Sequence, residues 1–97
     1  MNPGRNLARL LTLYGTQAKF VEAEDPTLED DMVDIPDLVM GRKFHIQVCY
    51  GADLNQFHII EECPDEDSDD YWIKDITSTN RPVDVNLFFK NLEATPS

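Results

Sequence analysis

The apolar residues near both ends of the chain recur with helical spacing. In each case four of them fall at positions i, i+3, i+4 and i+7, which places them on one helical face. The N-terminal set predicts a helix over residues 5–14 that ends at Gly15, because glycine tolerates the left-handed conformation common after a helix. The C-terminal set predicts a last helix capped by Asp84, with Pro82 just ahead. The two faces are formed by Leu7, Leu10, Leu11 and Tyr14, and by Val85, Phe88, Phe89 and Leu92.

The middle of the chain alternates between apolar and polar residues, as half-buried strands do. Residues 43–50 alternate throughout, and a short loop leads from them into a returning strand over residues 56–63. Residues 18–24 and 71–77 are predicted as two further strands. The hairpin register puts His45, Cys49, His58, Ile60 and Glu62 on one face, and Phe44, Ile46, Val48, Tyr50, Phe57 and Ile59 on the apolar face.

The acidic segment between the first two strands contains signals for a helix. Asp25 followed by Pro26 is a typical helix start, and acidic residues suit the first turns of a helix. Leu28 and Met32 are spaced to share one face. The pattern predicts a short acidic helix over residues 26–33.

Together the elements predict one α+β domain over residues 1–97. We expect a small, mostly antiparallel sheet of three or four strands, with the N- and C-terminal helices packed on one face. No run of about 18 apolar residues is present, so no membrane span is expected. The N-terminal segment lacks the continuous apolar core of a signal peptide, and two cysteines make no disulfide framework, so the cytoplasm is the expected compartment.

The charge of the chain sets it apart from an ordinary small domain. It has 19 acidic and 8 basic residues, a net charge of −11. Residues 20–73 hold 16 of the acidic residues but two of the basic ones, Arg42 and Lys43. Direct binding of DNA, RNA or anionic lipid requires clustered Lys and Arg, so the charge argues against these ligands. It favours a basic protein partner.

Four cysteine and histidine residues raise the question of a zinc site. His45, Cys49, His58 and Cys63 are zinc-ligand types, but they lie on predicted strands rather than on converging turns. The register places Cys63 on the face opposite the other three, which also argues against a Cys49–Cys63 disulfide. No zinc site is expected.

The acidic loop after the hairpin begins like an EF-hand calcium loop. Starting from Asp65, however, the sixth position is Asp70 where the calcium loop has glycine, and the twelfth is Ile76 where it has glutamate. No catalytic motif is present, and His45 and Cys49 lie about 13 Å apart along a strand, too far for a hydrogen bond. Neither a cofactor nor catalytic residues are expected.

The acidic residues of the middle region form two clusters. A run of charge is most often a solvated surface, and that interpretation stays open. The alternative is an anionic interface, of which the two clusters form two halves if they meet in the fold. The first cluster is Glu29, Asp30, Asp31, Asp34 and Asp37, and the second is Asp65, Glu66, Asp67, Asp69 and Asp70.

The second cluster matches the linear charge density of a nucleic-acid strand. An extended chain advances about 3.3 Å per residue, and a DNA strand carries one charge per about 3.4 Å. Carboxylates in such a run can accept the Arg and Lys hydrogen bonds that phosphates accept. Tyr71 and Trp72 follow the run as candidate anchors, and we expect one of the two to be buried.

In length, acidity and segregation of charge, the chain resembles the small acidic phage proteins that mimic DNA and inhibit host defence. Anti-CRISPR and anti-restriction proteins form this class. The resemblance implies a non-enzymatic inhibitor that blocks the DNA-binding surface of a CRISPR surveillance complex or a nuclease in the host cytoplasm. The alternative is an immunity protein or antitoxin, since these are also small and acidic and neutralise basic nuclease toxins by direct binding.

Overall fold

The computed structural model describes residues 2–94, and these form two helices and five strands. Helix α1 spans Pro3–Leu13 and helix α2 spans Pro82–Ala94. The strands are β1 Lys19–Val21, β2 Asp31–Asp34, β3 Lys43–Cys49, β4 Gln56–Pro64 and β5 Tyr71–Thr79. The α+β class is confirmed, and the sheet has five strands where three or four were predicted.

The five strands form one antiparallel sheet in chain order, so each pairs with its neighbours along the sequence. The register across its centre aligns Val33 with Ile46 and Ile46 with Ile59. His45 lies opposite Ile60, which confirms the predicted register of the β3–β4 hairpin. β1 and β5 are the two edges of the sheet.

The predicted helix over residues 26–33 is wrong. Asp25 does act as a cap, but of a turn: its carboxylate accepts hydrogen bonds from the backbone N–H and the hydroxyl of Thr27. Leu28, placed on the apolar side of that helix, is 82% exposed, whereas Val33 is fully buried in β2. Strand pairing on both sides of β2 satisfies its backbone groups and outweighs the local helix signals.

One core cluster joins buried side chains of the strands with buried side chains of both helices. Phe44 of β3 packs edge-on against Phe88 and Phe89 of α2, with ring centroids 5.6 and 5.5 Å apart. Tyr14 and Tyr50 were predicted on the apolar faces but are half exposed, because each follows the end of its element. The buried apolar side chains are Leu7, Ala8, Leu11, Val33, Ile35, Val39, Phe44, Ile46, Val48, Phe57, Ile59, Val85 and Phe89.

The helix ends follow from local chemistry. Asn2 caps α1 by accepting hydrogen bonds from the N–H groups of Gly4 and Arg5. Gly15 has φ of 99°, in the left-handed region, which confirms the predicted stop. α2 begins at Pro82, so Asp84 lies inside its first turn, where it accepts a hydrogen bond from Thr79. Neither helix of residues 2–94 is long and apolar enough to cross a membrane.

Candidate interaction surface

The strand directions separate part of the first acidic cluster from the second. The β1–β2 connection lies at the end of the sheet where β4 begins, and the β4–β5 loop lies at the opposite end. Asp31 is level with Phe57 across the sheet, and β4 runs seven residues further to Pro64. At about 3.3 Å per residue, the two ends are about 23 Å apart along the strands. Glu29, Asp30 and Asp31 therefore lie at the opposite end of the sheet from residues 65–70.

The rest of the predicted site lies at one end of the sheet. β2 ends at Asp34, and Asp37 follows in the β2–β3 connection, which projects from the same end of the sheet as residues 65–70. The two clusters therefore meet only in part. The anionic surface at this end consists of the β4–β5 loop and two residues of the first cluster.

Several carboxylates of the first cluster are engaged within the fold. Asp30 accepts a hydrogen bond from Gln47 at 2.6 Å. Asp31 accepts from the backbone N–H of Ala23 and from the Tyr50 hydroxyl, and these bonds hold the pKa of Asp31 below its usual value. Burial, together with the Asp31 carboxylate, raises the pKa of Tyr50 to about 12. These acidic groups stabilise the sheet end and are less available to a partner.

The β4–β5 loop presents its carboxylates differently. Asp65 shapes the turn by accepting hydrogen bonds from the N–H of Asp67 and the hydroxyl of Ser68. The remaining four acidic side chains make no hydrogen bond or ion pair with any residue in the described part of the chain, and all are exposed. They are Glu66, Asp67, Asp69 and Asp70.

The two basic residues of the acidic region do not neutralise this loop. Arg42 donates two hydrogen bonds of 2.9 Å to the carboxylate of Glu61. Lys43 donates to the carbonyl oxygens of Ile35 and Pro36, at 2.8 and 3.2 Å. Neither cation is therefore paired with a carboxylate of the loop.

The aromatic residues after the loop are exposed, so the expectation that one of them is buried is wrong. Tyr71, Trp72 and Ile73 are 60%, 52% and 48% exposed. They begin β5, which among the described strands pairs with β4 alone, so the core does not extend to this corner of the sheet. Three consecutive exposed large apolar side chains are typical of an interaction surface. We define the acidic hairpin as residues 65–73.

The face of the sheet opposite the core carries a histidine held between two carboxylates. Glu62 contacts Nε2 of His45 at 2.6 Å, and Asp34 contacts Nδ1 on the other side of the ring. Contacts at both ring nitrogens hold the imidazole in one orientation between β2 and β4. Cys49 lies on the same face, and burial and the nearby Asp30 raise the pKa of its thiol, which lowers its reactivity. The arrangement joins β2, β3 and β4 across their polar face.

The described residues contain no group of three or more His, Cys, Asp or Glu side chains arranged to hold a metal ion. Cys49 and Cys63 are both free thiols, on opposite faces as the register predicts. Comparison with protein-family models, with curated proteins and with solved structures found no match. The acidic hairpin is therefore the feature of this chain that bears on function.

The contribution of Ile73 was missed in the sequence, where it counted only as part of a strand. A usable signal was present: in a strand, consecutive residues point to opposite faces. Tyr71, Trp72 and Ile73 cannot all face one core, so a run of three large apolar residues beside an acidic loop indicates exposure of at least one.

Proposed function

We propose that the protein is a non-enzymatic inhibitor that uses its acidic hairpin to occupy the nucleic-acid-binding surface of a basic host defence protein or complex. The observation that carries the proposal is that residues 65–73 combine four carboxylates that pair with no residue of 2–94 and three exposed apolar side chains. The carboxylates take the positions of phosphates, accepting hydrogen bonds from Arg and Lys. An anti-CRISPR-like protein would act in this way in the host cytoplasm.

Charge and apolar contact have separate roles in this proposal. The carboxylates attract a basic groove over a distance and speed the encounter, an effect that weakens with salt. Tyr71 and Trp72 then supply apolar contact, because aromatic anchors carry much of the binding energy of protein interfaces. The interface is centred on one end of the sheet and is smaller than one formed by both acidic clusters.

The proposal places both helices on one face of the sheet, so that the hairpin end is free to enter a groove. Leu7 and Leu11 of α1 and Val85 and Phe89 of α2 belong to one core cluster with the apolar side chains of the strands. On the other face, His45 and its neighbours are polar or only half buried. The β4–β5 pairs Cys63–Trp72 and Pro64–Tyr71 extend past the first residue of β3, so the loop over residues 65–70 lies beyond the end of that strand.

The exposed Trp72 also favours a second candidate, an immunity protein or antitoxin that covers one basic nuclease toxin. Such a protein depends on shape-specific contacts that retain affinity in salt, so Trp72→Ala would abolish binding at high and low salt alike. A nucleic-acid mimic depends more on charge, and its binding weakens steeply as salt rises.

The proposal is tested by DNA-binding assays on a panel of purified CRISPR surveillance complexes, restriction enzymes and nuclease toxins. The test variant is Asp67→Lys, Asp69→Lys, Asp70→Lys, which leaves the turn-forming Asp65 intact. The matched control, Glu24→Lys, Glu29→Lys, Asp53→Lys, makes the same change of net charge at exposed positions away from the hairpin. We expect the natural chain and the control to block DNA binding by a panel member, and the test variant to lose at least tenfold in potency.

Two results would contradict the proposal. Equal inhibition by the test variant and the natural chain would show that the hairpin carboxylates do not act as phosphate mimics. An equal loss in both triple variants would show that net charge, rather than the hairpin, determines inhibition.

A further inference from the structure

β5 gives the sheet one long unpaired edge. The strand runs for nine residues, Tyr71–Thr79, and pairs with β4 along one side, while no other strand of residues 2–94 pairs along its outer side. The opposite edge, β1, is three residues long. A long exposed edge strand presents a row of N–H and C=O groups that a further strand can pair with.

We propose that an extended, Lys- or Arg-bearing segment of the partner adds to the sheet along β5. This inference rests on the proposed function and names the part of the partner that the protein binds. Main-chain hydrogen bonds to the outer edge would supply affinity, as in other complexes formed by strand addition. Side chains of the added strand would lie beside Tyr71 and Ile73 on one face and beside Trp72 on the other.

The charges around β5 favour a basic added strand. The acidic loop adjoins the start of the strand, and Asp75 lies within it. Lys74 and Asp75 leave residues 71–75 without net charge of their own, so the carboxylates of the adjoining loop set the sign of the potential here. A second copy of the chain would bring the same carboxylates and a further net charge of −11 to this edge, so repulsion disfavours self-pairing.

The bulge in the β4–β5 pair limits the usable length of the edge. Register shifts between Ile59 and Ile60, so residues 71–75 and residues 77–79 pair with β4 as two regular segments. Residues 71–75 adjoin the acidic loop and carry all three exposed apolar side chains. This segment is therefore the docking edge, and the bulge twists the remainder away.

The edge is tested with a short synthetic peptide in which Lys alternates with Thr and Val, compared with an acidic peptide of the same pattern. Hydrogen exchange followed by NMR then reports each β5 amide. We expect the basic peptide to protect alternate amides of residues 71–75, because successive backbone groups of a strand point to opposite sides. The acidic peptide should protect none.

Two proline variants test whether backbone pairing carries the binding. Ile73→Pro and Lys74→Pro change adjacent residues, one with its N–H toward β4 and one with its N–H outward. Circular dichroism identifies the variant with the outward N–H, because that variant keeps the fold. It should bind the basic peptide about tenfold more weakly than the alanine variant at the same position, through loss of edge hydrogen bonds.

Each alternative outcome is decisive. Absence of amide protection in the natural chain, or equal binding by the proline and alanine variants, overturns strand addition. Protection of β5 that grows with protein concentration without peptide identifies a second copy as the occupant and also overturns it. If the Asp67→Lys, Asp69→Lys, Asp70→Lys variant loses the peptide while the proline variant keeps it, the charge-based function stands and the edge inference fails. If the lysine variant keeps the peptide while the proline variant loses it, the edge inference stands and the charge-based function fails.

Discussion

Glu61 lies on the core side of β4, 8% exposed, where its carboxylate receives two hydrogen bonds from Arg42. The alternation of β4 places it on the apolar face with Phe57 and Ile59, so its burial follows from the sequence. Its partner does not follow, because Arg42 reaches it from the turn before β3, across a strand pair. At the residue scale, periodicity predicts the face of a strand on which a residue lies. Side-chain pairing depends on contacts between distant parts of the chain.

The Glu61–Arg42 pair should make stability depend on pH. The hydrogen bonds from Arg42 hold the pKa of Glu61 below its ordinary value of 4.5. A depressed folded-state pKa contributes stability that is present above the ordinary pKa and is lost as pH falls through the folded value. We expect Glu61→Gln to lower the free energy of unfolding by about 2 kcal/mol at neutral pH. The difference in unfolding free energy between the variant and the natural chain should narrow below about pH 4.5.

Urea unfolding across this pH range measures the effect, with Glu22→Gln as the control. Glu22 pairs with Arg5 at 3.9 Å, and both side chains are well exposed. Its loss should change stability by less than about 0.5 kcal/mol at any pH. Parallel curves for Glu61→Gln and the natural chain, down to acid pH, would rule out Glu61 as a source of acid sensitivity.

At the scale of elements, the sequence predicted those with a long apolar period and failed for the short strand β2. Both helices and the β3–β4 hairpin follow from apolar spacing that persists over two or more turns or several strand repeats. β2 has four residues, with an aspartate at each end. The acidic segment that precedes it contains the helix start signal Asp25–Pro26. What makes it a strand is pairing with β1 and β3, a tertiary effect that local sequence does not encode.

Two alanine variants distinguish the β2 strand from the helix that the local sequence favours. Val33 is fully buried at the centre of the sheet, so Val33→Ala should cost about 2 kcal/mol of unfolding free energy. Leu28 is 82% exposed in the turn, so Leu28→Ala should change stability by less than about 0.5 kcal/mol. Denaturant unfolding measures both. A larger cost for Leu28→Ala than for Val33→Ala would instead support an acidic helix with Leu28 on its buried side.

At the scale of the whole molecule, the sequence predicted how much charge there is but not how it is distributed. The concentration of acidic residues in the middle of the chain is visible in one dimension. Whether residues 29–31 meet residues 65–70 depends on strand direction, which in this sheet places them at opposite ends. The exposure of Trp72 depends in the same way on β5 being the edge strand. Strand order is set by packing of the whole chain, beyond the reach of local patterns.

The net charge of −11 should make the fold more stable in salt. Repulsion among carboxylates weakens the compact state, and it is greatest where several unpaired acids lie close together, as in the acidic hairpin. Raising sodium chloride from about 10 mM to about 1 M shortens the screening length from about 30 Å to about 3 Å. We expect the thermal unfolding midpoint to rise over this range. In an Asp67→Asn, Asp69→Asn, Asp70→Asn variant the rise should be smaller, from a higher starting midpoint.

Sodium chloride is the appropriate salt, because sulfate stabilises folded proteins by exclusion from their surface whatever their charge. The matched variant Glu24→Gln, Glu29→Gln, Asp53→Asn neutralises three exposed acids that are dispersed in the sequence. It should reduce the salt response less than the hairpin variant, since these groups repel one another over longer, better screened distances. An equal reduction in both would mean that total charge governs stability. A midpoint that falls with salt would mean that favourable ion pairs, such as Glu61 with Arg42, outweigh repulsion in the natural chain.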